Sequence, residues 1–178
     1  SLLADALLNY KNGDVTASAN LNTKRYIDLK KILFPLLGQL EFIPEDVFGE
    51  WSLSTTVSGK MNLDDLEVEM KMKGRNNYIY DESFERLSFG LSLSEKVLNL
   101  KNINAIKSSG SIVGEYSFDL DTNKMLYDLR FSNIPIRDIN LIDRSPVALD
   151  AELNGFLKGE NSKQKQILNS EIVLDKTY

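Results

Sequence analysis

The sequence contains no cysteine and no histidine. Without cysteine there is no disulfide, no thiolate nucleophile and no cysteine-type zinc site. Without histidine the commonest general base and the commonest metal ligand are missing too. Carboxylates, lysine, serine and tyrosine remain, and they form no catalytic constellation. The residues point away from an enzyme, and neither a cofactor nor a metal is expected. Long apolar runs are also lacking: the richest cluster, Ile32 to Leu37, falls far short of the roughly 20 residues that cross a bilayer. Blocks of one charge are absent. Lysine and arginine number 21 against 26 aspartates and glutamates, giving a net charge of -5 and a pI near 4.9. An acidic surface of mixed sign lacks the basic stripe that nucleic acid requires, so no nucleic-acid partner is expected. The chain opens at Ser1 without a methionine and runs straight into Leu2 and Leu3, which reads as a segment of a longer protein.

What the sequence has is alternation. From Ser109 to Phe131, Ile112, Gly114, Tyr116, Phe118 and Leu120 share one parity, and Met125, Tyr127, Leu129 and Phe131 answer them. Asp121-Thr122-Asn123-Lys124 forms the polar turn between. Strand side chains point to opposite faces in turn, so this is a β-hairpin with one apolar and one wet face. Earlier, Ala6, Leu8 and Tyr10 precede Asn12-Gly13, and Val15, Ala17, Ala19 and Leu21 follow it. That dipeptide between alternating runs predicts a first hairpin over 6–22. From Tyr26 to Leu40 the period lengthens: Leu29, Ile32, Leu33, Leu36, Leu37 and Leu40 recur every three or four residues. A short helix over 26–40 is expected, interrupted at Pro35, capping the sheet.

Alternation then resumes. Trp51, Leu53, Thr55 and Val57 oppose Ser52, Ser54, Thr56 and Ser58. Leu66, Val68, Met70 and Met72 oppose Glu67, Glu69, Lys71 and Lys73. Tyr78 and Tyr80 suggest a short strand. Leu87, Phe89, Leu91 and Leu93 lead across Ser94-Glu95-Lys96 to Val97–Ile103. Beyond a bend at Pro135, Val147 to Leu153 and Lys163 to Leu174 complete the series. Roughly ten strands with turn signals every 8 to 12 residues describe a mainly β fold, an antiparallel meander. It curls into a β-trough or an open sandwich, as one segment over 1–178 whose main sheet spans 49–174.

Acidic clusters fit solvated strands better than sites. Glu67 and Glu69 share their face with Lys71 and Lys73. Asp119 to Asn123 opens like a calcium loop, but Lys124 replaces the required glycine and Arg130 the closing glutamate. The dry parity is the more informative feature. Its side chains either fill a closed core or line an acyl-chain groove made by Trp51, Leu53, Val68, Met70, Met72, Leu87, Phe89, Leu91, Tyr116, Phe118, Tyr127, Leu129 and Phe131.

Several phrases carry a resemblance. Asn20-Leu21-Asn22 is followed by Ile27-Asp28-Leu29 and a leucine-rich stretch, then by the glycine-punctuated run from Gly49-Glu50-Trp51 to Gly59. Phe84 to Phe89 leads to Val97 to Ile103. Ser109 to Tyr116 and Ile134-Pro135-Ile136-Arg137-Asp138-Ile139 complete the set. Together they resemble the repeat grammar of AsmA-like and TamB-like bacterial envelope proteins. The resemblance implies a β-groove of the bridge-like lipid-transfer type, anchored in the inner membrane by parts outside this segment and reaching through the periplasm. It also implies phospholipid acyl chains as cargo, outer-membrane assembly proteins as candidate partners and a role in outer-membrane biogenesis. The alternative is a closed β-sandwich serving as a scaffold for envelope protein assembly.

Overall fold

Where the alternating runs fall on described residues they form strands, and these strands join one sheet. The computed structural model describes residues 2–11, 13–23, 27–28, 47–60, 64–79, 81–139, 151–163 and 165–176. In chain order the strands are β1 (Leu2–Lys11), β2 (Asp14–Thr23), the two-residue β3 (Ile27–Asp28), β4 (Val47–Lys60), β5 (Leu66–Ile79) and β6 (Glu82–Ser94). They continue as β7 (Val97–Lys107), β8 (Gly110–Asp119), β9 (Lys124–Pro135), β10 (Ala151–Asn161) and β11 (Gln166–Lys176). The spatial order follows the chain, with β2 against β4 and β3 beside the start of β4. The result is the antiparallel meander expected, a single open sheet with β1 and β11 at its edges. A 3-10 turn, Ile136–Asp138, follows Pro135.

Tight turns account for the simple order. Ser94 pairs with Val97 across Glu95 and Lys96, whose φ values of 49° and 60° are those of a type I′ turn, which matches strand twist. Lys11 pairs with Asp14 across the first turn, where Gly13 takes a φ of 87° that glycine adopts without a Cβ penalty. This hairpin is longer than 6–22 and is no separate unit, because β2 bonds to β4 along nine residue pairs. Tyr78 belongs to the fourteen-residue β5 rather than to a short strand of its own. The helix expected over 26–40 is corrected at its start. Ile27 and Asp28 pair with Gly49 and Phe48, since a backbone bonded to a sheet edge cannot also close helical turns. The remainder of that stretch, and Val147 and Leu149, lie outside the described residues.

Strands of this length keep one dry face only with help from bulges. β5 carries an extra residue against β4, β7 against both its neighbours, and β9 against β10. Each lies beside an asparagine in left-handed backbone: Asn76, Asn102 and Asn133, with φ of 50°, 54° and 51°. Asparagine tolerates this region better than other residues bearing a Cβ. The extra residue switches parity, so Leu98 and Leu100 hand over to Ile103 and Ala105 on the same face. Bulges also sharpen local twist, which coils a wide sheet into a trough.

Burial is graded across the sheet. Leu21, Trp51, Leu53, Met70, Met72, Leu87 and Ala105 form one buried cluster, and Val68, Leu93 and Leu98 a second. At the far edge Leu168, Ile172 and Leu174 remain 63%, 61% and 52% exposed. At one end of the sheet a lysine fastens three turns: Lys96 Nζ lies 2.6 Å from Asp64 and 3.2 Å from Asp121. In the last of these turns Asp119 accepts the backbone N–H groups of Thr122 and Asp121.

Asn102→Gly should be nearly neutral, whereas Asn102→Val should cost about 1–2 kcal/mol because a β-branched residue resists positive φ; urea midpoints of the two variants check this. The hydrogen bonds from Thr122 hold Asp119 below its ordinary value of 3.8. Its stabilisation is therefore complete above that value and lost as pH falls through the lower, folded one. The hydrogen bond to Asp64 raises Lys96 above 10.5, so that contribution is complete below 10.5 and lost as pH rises through the higher, folded value. Hydrogen exchange of the turn amides against pH should show both flanks, and Asp119→Ala should remove only the acid one.

Candidate functional site

Register brings residues far apart in sequence into rows across the strands. One row runs Ala6, Ala19, Thr55, Met70, Leu91, Leu100, Tyr116, Tyr127, Gly159 and Leu168. At about 4.8 Å per strand it is on the order of 43 Å long. A second begins Ala17, Val57, Val68 and Leu93 and continues through Leu98, Phe118 and Met125. A third contains Trp51, Gly74, Leu87, Ala105, Ile112, Phe131 and Gly155.

All thirteen groove candidates sit on this face, but they divide in two. Trp51, Leu53, Val68, Met70, Met72 and Leu87 are buried. Phe89, Leu91, Tyr116, Phe118, Tyr127, Leu129 and Phe131 are half-buried. Phe89 and Leu91 pack against the first cluster, Leu91 and Phe118 against the second. Tyr127 lies against Gly159, whose missing Cβ leaves room for the ring. The part of the dry face built by β4 and β5 is therefore closed core, β6 divides between buried Leu87 and Leu93 and half-buried Phe89 and Leu91, and beyond β7 the face is an apolar, aromatic surface with solvent access except at buried Ile134. Such a surface can shelter hydrocarbon; among the described residues it presents no acid–base pair and no group of His, Cys, Asp or Glu able to hold a metal. No described helix is long and apolar enough to cross a membrane.

The dry face also carries polar groups that the alternating pattern concealed. Lys107 is 4% exposed. Its ammonium donates to Glu82 Oε2 at 2.6 Å and to the Ser83 carbonyl at 3.1 Å, and lies 5.5 Å from the centre of the Phe84 ring. The signal was present: Lys107 continues the parity of Ile103 and Ala105, and an inward lysine needs a partner. Asn77 is 1% exposed, and among the described residues neither its amide atoms nor the indole N–H of Trp51 find a hydrogen-bond partner. The Asn77 side chain packs on Gly49 and Gly74. Nothing in the sequence singled out Asn77, because the bulge at Asn76 turns it inward.

Comparison with known proteins brings no relative: no family model, no curated protein and no solved structure matches the chain.

Lys107 is the buried member of the pair, so removing its carboxylate leaves the ammonium only the Ser83 carbonyl, and Glu82→Leu should destabilise the fold by about 3 kcal/mol. The double variant Lys107→Met/Glu82→Leu should lose much less, since no buried charge is left unpaired. Urea unfolding of wild type, both single variants and the double variant measures the coupling. Additive losses would show the pair to be incidental.

Proposed function

We propose that this chain is a non-catalytic β-trough segment that shelters phospholipid acyl chains on its dry face, in the manner of the AsmA-like and TamB-like envelope proteins its phrasing resembles. The observation that carries the reading is the apolar surface beyond β7, where Tyr116, Leu129 and Phe131 stay half-buried while Trp51, Leu53, Met70 and Met72 on β4 and β5 are closed core. An acyl chain laid there removes its own surface and that of the aromatic rings from water, at about 0.8 kcal/mol per buried CH₂. The headgroup remains in solvent, and no bond is made or broken. On this reading the segment works in the bacterial periplasm, held to the inner membrane by parts of a longer protein. It passes phospholipid towards the outer membrane in support of outer-membrane biogenesis.

A second reading has its own observation. The edge strand β11 exposes Ile167 and Val173 on one face and Leu168, Ile172 and Leu174 on the other. An apolar edge that no other described strand pairs invites strand addition by another polypeptide. On that reading the chain is an interaction module for envelope assembly proteins.

Native mass spectrometry with lipid extraction, on the segment purified from bacterial envelope without delipidating detergent, separates the two. The trough reading expects co-purifying phospholipid that is lost in Phe131→Asp, with circular dichroism unchanged. Phe131 is the better probe than Phe118, which packs against the Val68, Leu93 and Leu98 cluster and is partly structural. Leu53→Asp is the folding control, since it places a carboxylate in closed core. Phospholipid retained undiminished in a folded Phe131→Asp, or a clean apo mass for the wild type, overturns the trough.

A further inference from the structure

The wet face carries a feature that charge counting along the chain conceals. Lys73, Arg75 and Arg86 come together where β5 and β6 run side by side, and Arg75 and Arg86 stand directly opposite one another in register. Two like charges facing across a ladder destabilise the pair they form. All three side chains are exposed, and among the described residues none makes an ion pair or a side-chain hydrogen bond. Three cations thus gather on adjacent strands of a protein whose net charge is -5, with the Glu50 carboxylate opposite Arg75 in register but in no ion pair with it.

They line a concavity of about 600 Å³ on this face. Ser52, Ser88 and Asn104, short side chains able to donate hydrogen bonds, share its lining with apolar residues including Trp51, Leu87 and Ile106. In register Ser52 faces Lys73, Lys73 faces Ser88, and Ser88 faces Asn104, so cation and neutral donors form one continuous row. The volume is that of a small-molecule site. Arginine forks match the oxygens of a phosphate in a bidentate manner, and a lysine adds a point charge. Glu50, opposite Arg75 and also on the rim, can accept from a hydroxyl or amine on the ligand's body.

We infer that this outer concavity is a binding site for a phosphate group carried on a small polar body, held by Arg75, Arg86 and Lys73. The site faces away from the acyl-binding surface and does not depend on the lipid reading. The same chemistry is offered by a soluble sugar or glycerol phosphate and by a phospholipid headgroup at a bilayer surface. The bound anion cancels the repulsion between the two arginines, so ligand binding and fold stability are linked.

Three proteins test this: the wild type, Arg75→Ser/Arg86→Ser, and Arg130→Ser, which removes a cation of the same face outside the concavity. Each is titrated calorimetrically with glycerol 3-phosphate, and separately sedimented with vesicles of phosphatidylcholine alone or mixed equally with phosphatidylglycerol. The inference expects binding to at least one phosphate probe, weakened about tenfold or more in the double variant and retained in Arg130→Ser. It also expects the ligand-free double variant to unfold at a higher urea concentration than wild type. Binding of glycerol 3-phosphate assigns the source as a soluble phosphate, and binding confined to the phosphatidylglycerol vesicles assigns it as a headgroup. Vesicle binding that survives in the double variant but fails in Phe131→Asp belongs to the acyl surface and overturns the inference. So does binding to neither probe, or equal weakening by Arg130→Ser, which would reflect net charge alone.

Discussion

The constraint on which the whole structure depends is that one face of a single, continuous sheet must stay dry across ten strands. No second sheet covers that face among the described residues, so each strand must contribute apolar side chains in phase with its neighbours. A slip of one residue would turn a strand's entire apolar set into water. Long strands drift out of phase with a twisting partner, and the left-handed asparagines on β5, β7 and β9 absorb the difference. The bulges are thus the means by which alternation survives over the width of the sheet, and by which the sheet coils.

From that constraint follows a division of labour. Where β4 and β5 pack methionine, leucine and the single tryptophan, the face is closed. Where β8 to β11 continue the same rows, the face is open and gives up burial that the closed half makes dispensable. A surface left half-exposed is a cost in water and an asset for binding hydrocarbon. Of the polar groups on the dry face, Thr55 in mid-strand donates to the Glu69 carbonyl, and Lys107 and Glu82 satisfy one another at the end of the strands. The opposite face follows a different logic, with short serines and asparagines between longer charged side chains. That mixture creates relief on what would otherwise be a flat surface.

Much of this was legible from residues alone. Asn12-Gly13, the Ser94 to Val97 turn and the polar loop after Asp119 each announced a hairpin that the structure contains. The shared parity of Met70, Leu91, Tyr116 and Tyr127 placed all thirteen groove candidates on one face. The helical period from Tyr26 misled at Ile27 and Asp28, because a local pattern of apolar spacing carries no information about a sheet edge waiting to be paired. The depth of burial was equally hidden. Trp51 and Phe131 have the same parity and similar chemistry, yet one is core and the other only half-buried.

The sequence by itself determined the class of fold, the order of strands and the sidedness of each, since turn chemistry and a period of two act over a few residues. Tertiary structure alone decided which residues became neighbours across strands. Arg75 and Arg86, or Lys107 and Glu82, lie many positions apart along the chain and meet only because hydrogen-bond register fixes one alignment of strands. Charges that look evenly mixed in one dimension are gathered by register into a basic concavity in an acidic protein. Local rules say which way a side chain points; only the global pairing says what it meets.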